Sequence, residues 1–282
     1  MQKTLFLLIT TLFMVSVFVS GQNHVNVLTW NLRYDNPADK ENSWNYRKEE
    51  VTGLIRFLQA DIICTQEGLN QQVKYLNDSL KTHSFIGVGR DDGFDKGEYC
   101  AVFYRKSRFE VVEHETFWLS ETPQKPSKGW DAAIVRICTW LKLRDLQSKA
   151  SFYVFNAHFD HMGQVAREKS AELIIKKINE LNTAHLPVIF CGDFNATDTE
   201  KPYEVITSQM SDSRKISQLA PFGPIATFNN FRFDEIPSER IDYIFVNEKI
   251  EVLRHATLSI SKNNRYPSDH FPVFSELIFN HW

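Results

Sequence analysis

The sequence predicts an α/β sandwich, two packed β-sheets with helices on their outer faces, and three observations carry that expectation. Short apolar runs recur along the chain, each bounded by polar residues (VNVLTWN, ADIICTQE, EYCAVFY, FYVFNAH, VIFCGDFN, RIDYIFV), as strands buried in a packed sheet should be. Two long segments carry helical periodicity instead. In residues 43–59, Val51, Leu54, Ile55 and Leu58 share one face, and in residues 164–181, Ala171, Ile174, Ile178 and Leu181 do so. Finally, Phe makes up 22 of the 282 residues, which suits strand-rich layers with bulky cores. Many strands beside a few helices bury their apolar faces most simply in such layers.

Taken in order, residues 25–30 form a strand running into Asn31, and the helix of 43–59 follows. A short strand at 62–65 ends on Gln66-Glu67, and a polar helix spans about 71–80. Strands are expected near 84–89, 99–104 and 109–118, before a Pro/Gly loop at 121–131 (ETPQKPSKGWD). Strands at 132–143 and 151–158 precede the helix of 164–181. The remaining strands fall at 188–191, 240–246, 252–260 and 271–277.

The N-terminus reads as an export leader. Lys3 precedes an apolar run from Leu5 to Val19, and Val19-Ser20-Gly21 offers small residues for cleavage. The run is shorter than the roughly 20 residues a transmembrane helix needs, so a periplasmic or extracellular protein is expected. Residues 22–282 then form one domain, because no linker, repeat or low-complexity stretch divides them. A monomer is expected. Without the leader, 31 Lys+Arg stand against 35 Asp+Glu, a formal net charge of −4. Strong binding to duplex DNA draws on released counterions and a basic surplus, and none is present. Cys64, Cys100, Cys138 and Cys191 allow three disulfide pairings. Each lies in an apolar strand-like run, where free Cys packs as a small hydrophobe, so four buried thiols are expected.

Chemistry-bearing residues stand where apolar runs end: Asn31, Glu67, Glu98, His158, Asp193, Asn195, Asp242, Asp269 and His270. Strand ends emerge at a sheet rim, where sites form. In the order TWN, QE, Glu98, NAHFDH, GDFNA, RIDYIF and SDHFPV, the chain resembles the endonuclease/exonuclease/phosphatase superfamily over nearly its whole mature length. Pancreatic-type deoxyribonucleases, inositol-polyphosphate 5-phosphatases, bacterial sphingomyelinases and the carbon catabolite repressor protein/nocturnin deadenylases belong to it. The resemblance implies a four-layer α/β/β/α sandwich with its site at one edge of the sheets. It makes Glu67 the principal metal ligand, with Asn31 and Asp269 near the same ion. Asp193 and Asn195 position the phosphate and the attacking water. His158 has Glu98 as its partner, and His270 is oriented by Asp242.

Those residue types suit the reaction. A phosphate ester is anionic, so a hard cation such as magnesium or manganese, bound through oxygen ligands, must drain its charge. Imidazole moves protons near neutrality, and a carboxylate on its second nitrogen fixes its orientation. The other histidines fit no signature, and His161, close behind His158, is expected to be structural. Two loops could select substrate: Arg33, Tyr34, Trp44 and Arg47 after the first strand, and Lys128 and Trp130 before the strand carrying Arg136. Aromatic faces stack bases or sugars, and Arg grips phosphate. The first functional expectation is a nuclease-like phosphodiesterase acting on RNA or short single-stranded nucleic acid, a 3′-5′ exonuclease being one form of it. The alternative is a phosphatase or phospholipase C-type enzyme acting on inositol phosphates, phosphoinositides or sphingomyelin. A catalytically dead binding module ranks last, because the catalytic set is intact.

Overall fold

A computed structural model of the chain describes residues 24–280; the expected leader lies outside the described residues. Strand β1 (His24–Asn31) leads through a 3-10 segment (Pro37–Asn42) into helix α1 (Trp44–Leu58). Ser43 caps that helix with extended backbone, and Gln59, at φ 48°, stops it in the left-handed conformation. Next come β2 (Ile62–Gly68), α2 (Asn70–Ser79), β3 (His83–Ile86), β4 (Tyr99–Arg105) and β5 (Phe109–Trp118). Strands β6 (Ile137–Asp145) and β7 (Ser151–His158) precede α3 (Gln164–Leu181) and β8 (Val188–Asp193). A short helix α4 (Lys201–Thr207) and strand β9 (Ser211–Asp212) follow, then β10 (Asp242–Val246), β11 (Ile250–Thr257) and β12 (Val273–Phe279).

The strands form two mixed six-stranded sheets, ordered β11-β12-β1-β2-β4-β3 and β5-β6-β7-β8-β10-β9. Their facing sides interdigitate through residues such as Val27, Ile62, Cys64, Val102 from one sheet and Leu141, Val154, Ile189, Cys191, Ile244 from the other. Helices α1 and α2 cover the first sheet through Val51, Ile55, Val73 and Leu76. Helix α3 covers the second through Ala171, Ile174, Ile175 and Ile178. The four layers expected from the resemblance are therefore present. Each fully buried Ile or Leu here contributes about 1.5–3 kcal/mol, so the layers are held by area rather than by staples. All four cysteines are buried and unbonded. Among the described residues no helix is long and apolar enough to cross a membrane.

Several elements differ from expectation: β3 ends at Ile86 rather than at 89, and β11 spans Ile250–Thr257 rather than 252–260. Strand β6 starts at Ile137, five residues late, because the backbone N–H groups of Ala133 and Ile134 bond to the Asp160 carboxylate rather than to a neighbouring strand. The expected strand at 271–277 is shifted to Val273–Phe279, leaving Asp269 and His270 in the loop before it. Helix α4, strand β9 and the long connection from 213 to 241 were not anticipated; that connection reaches the rim of the site described next.

Candidate active site

Register gathers the site. His158 ends β7 beside Asp193 at the end of parallel β8, and antiparallel β10 begins with Asp242 opposite Asp193. In the facing sheet Asn31 ends β1 beside Gln66 of β2. Ligating side chains thus leave both sheets at one edge.

Local backbone aims them. The β2–β4 pairing slips between Thr65 and Gly68, and Glu67 sits in that bulge at φ 61°. Bulges beside sites re-aim a side chain, and a left-handed residue costs about 1–3 kcal/mol that its surroundings must offset. Here Asn31 Nδ2 donates to Glu67 Oε1 at 3.0 Å and the Tyr34 N–H to Oε2 at 3.1 Å. In the GDFN segment Gly192 has no alternative, since a Cβ there would lie 2.1 Å from the Ala157 carbonyl oxygen. Phe194 is buried among Phe159, Phe190, Tyr243 and Phe245. It anchors its neighbours Asp193 and Asn195 at the surface of the cleft. Asn195, at φ 46°, turns back to place Nδ2 3.1 Å from His158 Nε2 and 3.0 Å from the Phe159 carbonyl.

The two histidines meet different fields. His270 Nδ1 lies 2.9 Å from Asp242 Oδ2, and its Nε2 lies 3.8 Å from Asp193 Oδ2. Burial disfavours its charge, but Asp242 and Asp193 outweigh burial and hold the imidazole well above its ordinary value. His158 Nε2 lies 3.5 Å from Asp193 Oδ2. Burial, then the Arg136 and Arg90 guanidiniums, hold this ring well below the usual imidazole range. The two imidazoles are therefore pushed in opposite directions, His270 towards its charged form and His158 towards its neutral one. Glu98 stands 3.9 Å from His158 Nδ1, beyond hydrogen-bond reach, and Arg90 takes its Oε2 at 2.5 Å. The carboxylate expected to orient His158 is thus bonded first to an arginine that sequence reasoning missed.

Buried carboxylates crowd one another. Asp193 is pushed up to about 7 by burial and by Asp242. Asp269 rises to about 6 through burial, with Glu67 adding to it, and Glu98 to about 7 by burial and Glu67. One oxygen of Asp242 is buried without a hydrogen-bond partner. Such a concentration of oxygen ligands fits a hard divalent cation. Glu67, His158 and Asp193 offer ligand atoms within 4.8 Å of one another, as do Asp193, Asp242 and His270. Asp269 lies outside both groups, though it lines the same cleft, 3.7 Å from Arg33. Asn31 presents its Nδ2 to Glu67 and Asp193, while its Oδ1 accepts the Arg33 N–H. Its amide thus links the two carboxylates at the sheet edge.

The cleft encloses about 520 Å³, an ordinary size for a small-molecule site. Arg33 and Arg136 line it as expected, and Arg90, Tyr34, His161 and Phe228 line it too. Arg33 is forked onto Asp39 at 2.9 and 3.1 Å. Arg136 reaches Asp160 at 3.5 Å and His161 Nδ1 at 3.0 Å, which brings His161 to the site after all. Two substrate candidates are corrected, and the second loop stands apart from the cleft. Trp44 is buried beneath the first sheet, edge-on to Tyr75 at 5.9 Å. Arg47 is buried too, its guanidinium donating to the carbonyls of Leu32, Arg33, Asn42 and Pro267. Trp130, and with it Lys128, lies outside the residues lining the cleft.

The sequence profile of the Endonuclease/Exonuclease/phosphatase family matches residues 28–270. The chain belongs to this family. Its members are hydrolases acting on phosphoester bonds. A solved family member from Bacteroides thetaiotaomicron is 39% identical, covering 91% of this chain and 98% of its own, with a TM-score of 0.87. The mannosyl-6-phosphatase of the same species is also 39% identical, covering 90% of this chain and 100% of its own, again at 0.87. The CCR4-Not 3′-5′-exoribonuclease subunit Ccr4 of Mycosarcoma maydis is 23% identical over 90% of this chain and 50% of its own length. The chain spans between about a third and three fifths of the length of the first curated relatives it matches. Family membership accounts for the conjunction of Glu67, His158, Asp193 and His270 at one sheet edge.

Proposed function

We propose that the protein is a divalent-metal-dependent phosphatase hydrolysing the terminal phosphate monoester of a small alcohol, with magnesium or manganese as the ion. The observation carrying this reading is what lines the cleft. Trp44, Trp130 and Arg47, the side chains that could have stacked and gripped a nucleotide chain, are outside it, and a volume near 520 Å³ remains around one cluster of catalytic groups. The 39% identity to a mannosyl-6-phosphatase along that protein's whole length supports the same reading.

Glu67 and Asp193, with His158 in the same donor group, would hold the cation. When bound, it would drain negative charge from the phosphoryl oxygens. His270, whose protonated form Asp242 favours, would face the same phosphoryl group and stabilise its transition-state charge. Asp193 lies within 4 Å of both imidazole Nε2 atoms, so the carboxylate that would hold the cation also stands between the two rings. Asn195 fixes the ring of neutral His158 and the water side of the cleft. Arg33 and Arg136 supply positive charge at its walls.

The test is a comparison of kcat/KM on p-nitrophenyl phosphate, bis(p-nitrophenyl) phosphate and a short oligonucleotide, with magnesium and with chelator. Calorimetric titration of magnesium into wild type and Glu67→Gln accompanies it. We expect the monoester to be preferred, chelator to abolish turnover, and Glu67→Gln to weaken ion binding. Preference for the diester or the oligonucleotide would establish the nuclease reading instead, which the named exoribonuclease relatives favour.

A further inference from the structure

The connection between β9 and β10 supplies one wall of the cleft and is pinned to the catalytic residues themselves. Thr227 Oγ1 accepts the N–H groups of Ile241 and Asp242 at 3.0 and 3.1 Å. The N–H groups of Asn229 and Asn230 both donate to the Asp269 carbonyl, at 2.7 and 3.0 Å. Phe228 bridges to His270, with the rings 5.0 Å apart. Asn230 and Phe231 are held left-handed, at φ 50° and 57°. This wall is therefore held against Asp242, Asp269 and His270.

From it, Asn230 and Glu239 line the cleft beside Phe228 and Ile241. The hydrogen bonds of Asn230 and Glu239 are made by backbone; among the described residues neither side chain has a partner. A free amide offers a donor and an acceptor, a free carboxylate two acceptors, and the ring an apolar plane. Hydroxyl groups on a carbon frame satisfy all three. A polynucleotide would instead bring a second phosphate against the Glu239 carboxylate, which like-charge repulsion opposes.

The geometry points to Asn230 and Glu239 as a hydroxyl-reading pair fixed beside His270 and Asp269, so that the substrate is the phosphate monoester of a polyhydroxylated alcohol, a sugar phosphate in chemical class. The inference rests on the phosphatase reading above.

The experiment measures kcat/KM for mannose 6-phosphate and for ethyl phosphate, a hydroxyl-free primary alkyl ester, with magnesium. The proteins are wild type, Asn230→Gly, which removes the amide while suiting φ 50°, and the isosteric Glu239→Gln. Wild type should prefer the sugar ester, and in each variant the sugar-to-ethyl ratio should fall about tenfold or more, as expected when a hydroxyl contact is lost. A ratio unchanged in both variants overturns the inference. Should Asn230→Gly fail to fold, Glu239→Gln decides it alone. Wild type that hydrolyses ethyl phosphate without preferring the sugar ester overturns this inference and leaves the phosphatase reading standing. Wild type that cleaves neither monoester but cleaves an oligonucleotide overturns the phosphatase reading itself.

Discussion

His158 and His270 stand on either side of one carboxylate, 3.5 and 3.8 Å from Asp193 Oδ2, yet their neighbours favour the neutral form of one and the charged form of the other. Asp242 causes much of that difference, so it should act as a unit with His270. His270→Ala and Asp242→Asn are each expected to lower kcat by about two orders of magnitude. The double variant should be little worse than either single one, because removing one member already idles the other. Losses that multiply in the double variant would show that Asp242 works elsewhere. At this scale the sequence was most legible where residues sit in multi-residue signatures: GDFN, NAH and SDH place Asp193, Asn195, His158 and His270 together. It was least legible in the loops. Trp44 and Arg47 are near Asn31 in sequence, but they enter a helix whose inward face they occupy. Arg90 escaped notice because only the folded loop returns it to Glu98, eight residues on.

Elements were legible where one periodicity ran uninterrupted, as in β5, β7 and α3, whose expected and observed bounds agree. They were not where a side chain supplies the backbone's partners. Asp160, held at about 2 by backbone N–H groups and Arg136 against the opposing effect of burial, ties residues 133–134 to 162–163 and delays β6. Strand β11 carries a different buried group, His255. Its Nδ1 lies 3.0 Å from Ser213 Oγ and 3.1 Å from Ser275 Oγ, while its Nε2 has no partner. Burial, with Arg240 and Arg214 adding and Asp212 opposing, lowers it to about 3. Unfolded, it would take its proton near 6.5. Between those values the unfolded chain binds the extra proton, so stability from neutral His255 is present above about 6.5 and drains away as pH falls towards 3. The loss by pH 3 amounts to about 4 kcal/mol. Urea denaturation at several pH values should show wild type losing its margin over His255→Gln as pH drops; parallel curves would place acid sensitivity in other groups.

At the scale of the whole molecule, the site exists because two sheets are clamped in one relative position. Asn156 of β7 is fully buried between them. It donates to the carbonyls of Thr65 and Ala101 at 3.0 and 2.9 Å and accepts from Gln66 Nε2 at 2.7 Å. The clamp thus lies beside Glu67 on one sheet and below His158 on the other. Asn156→Ala removes three buried hydrogen bonds between the sheets, so stability should drop by about 3 kcal/mol and kcat should fall with it. A stable, fully active variant would free the site from the clamp. Charge is the other whole-molecule property, and it bears on which phosphate esters the protein can hold. The chain is formally −3 overall, and its three cleft guanidiniums are each committed to an acid: Arg33 to Asp39, Arg90 to Glu98, Arg136 to Asp160. On the outer helices Lys169 is paired with Glu172 and Lys201 with Glu204. The cleft therefore offers a duplex few uncommitted cations. Each phosphate neutralised adds about −0.9 to the slope of log K against log salt, and three guanidiniums limit that slope to about −3. Plasmid nicking measured as kcat/KM from low to physiological salt should be slow and only shallowly salt-dependent, while hydrolysis of a small monoester should barely respond. Efficient nicking with a slope near −6 or steeper would mean that cations outside the cleft grip the duplex, and that the small-ester reading misjudges the surface around it.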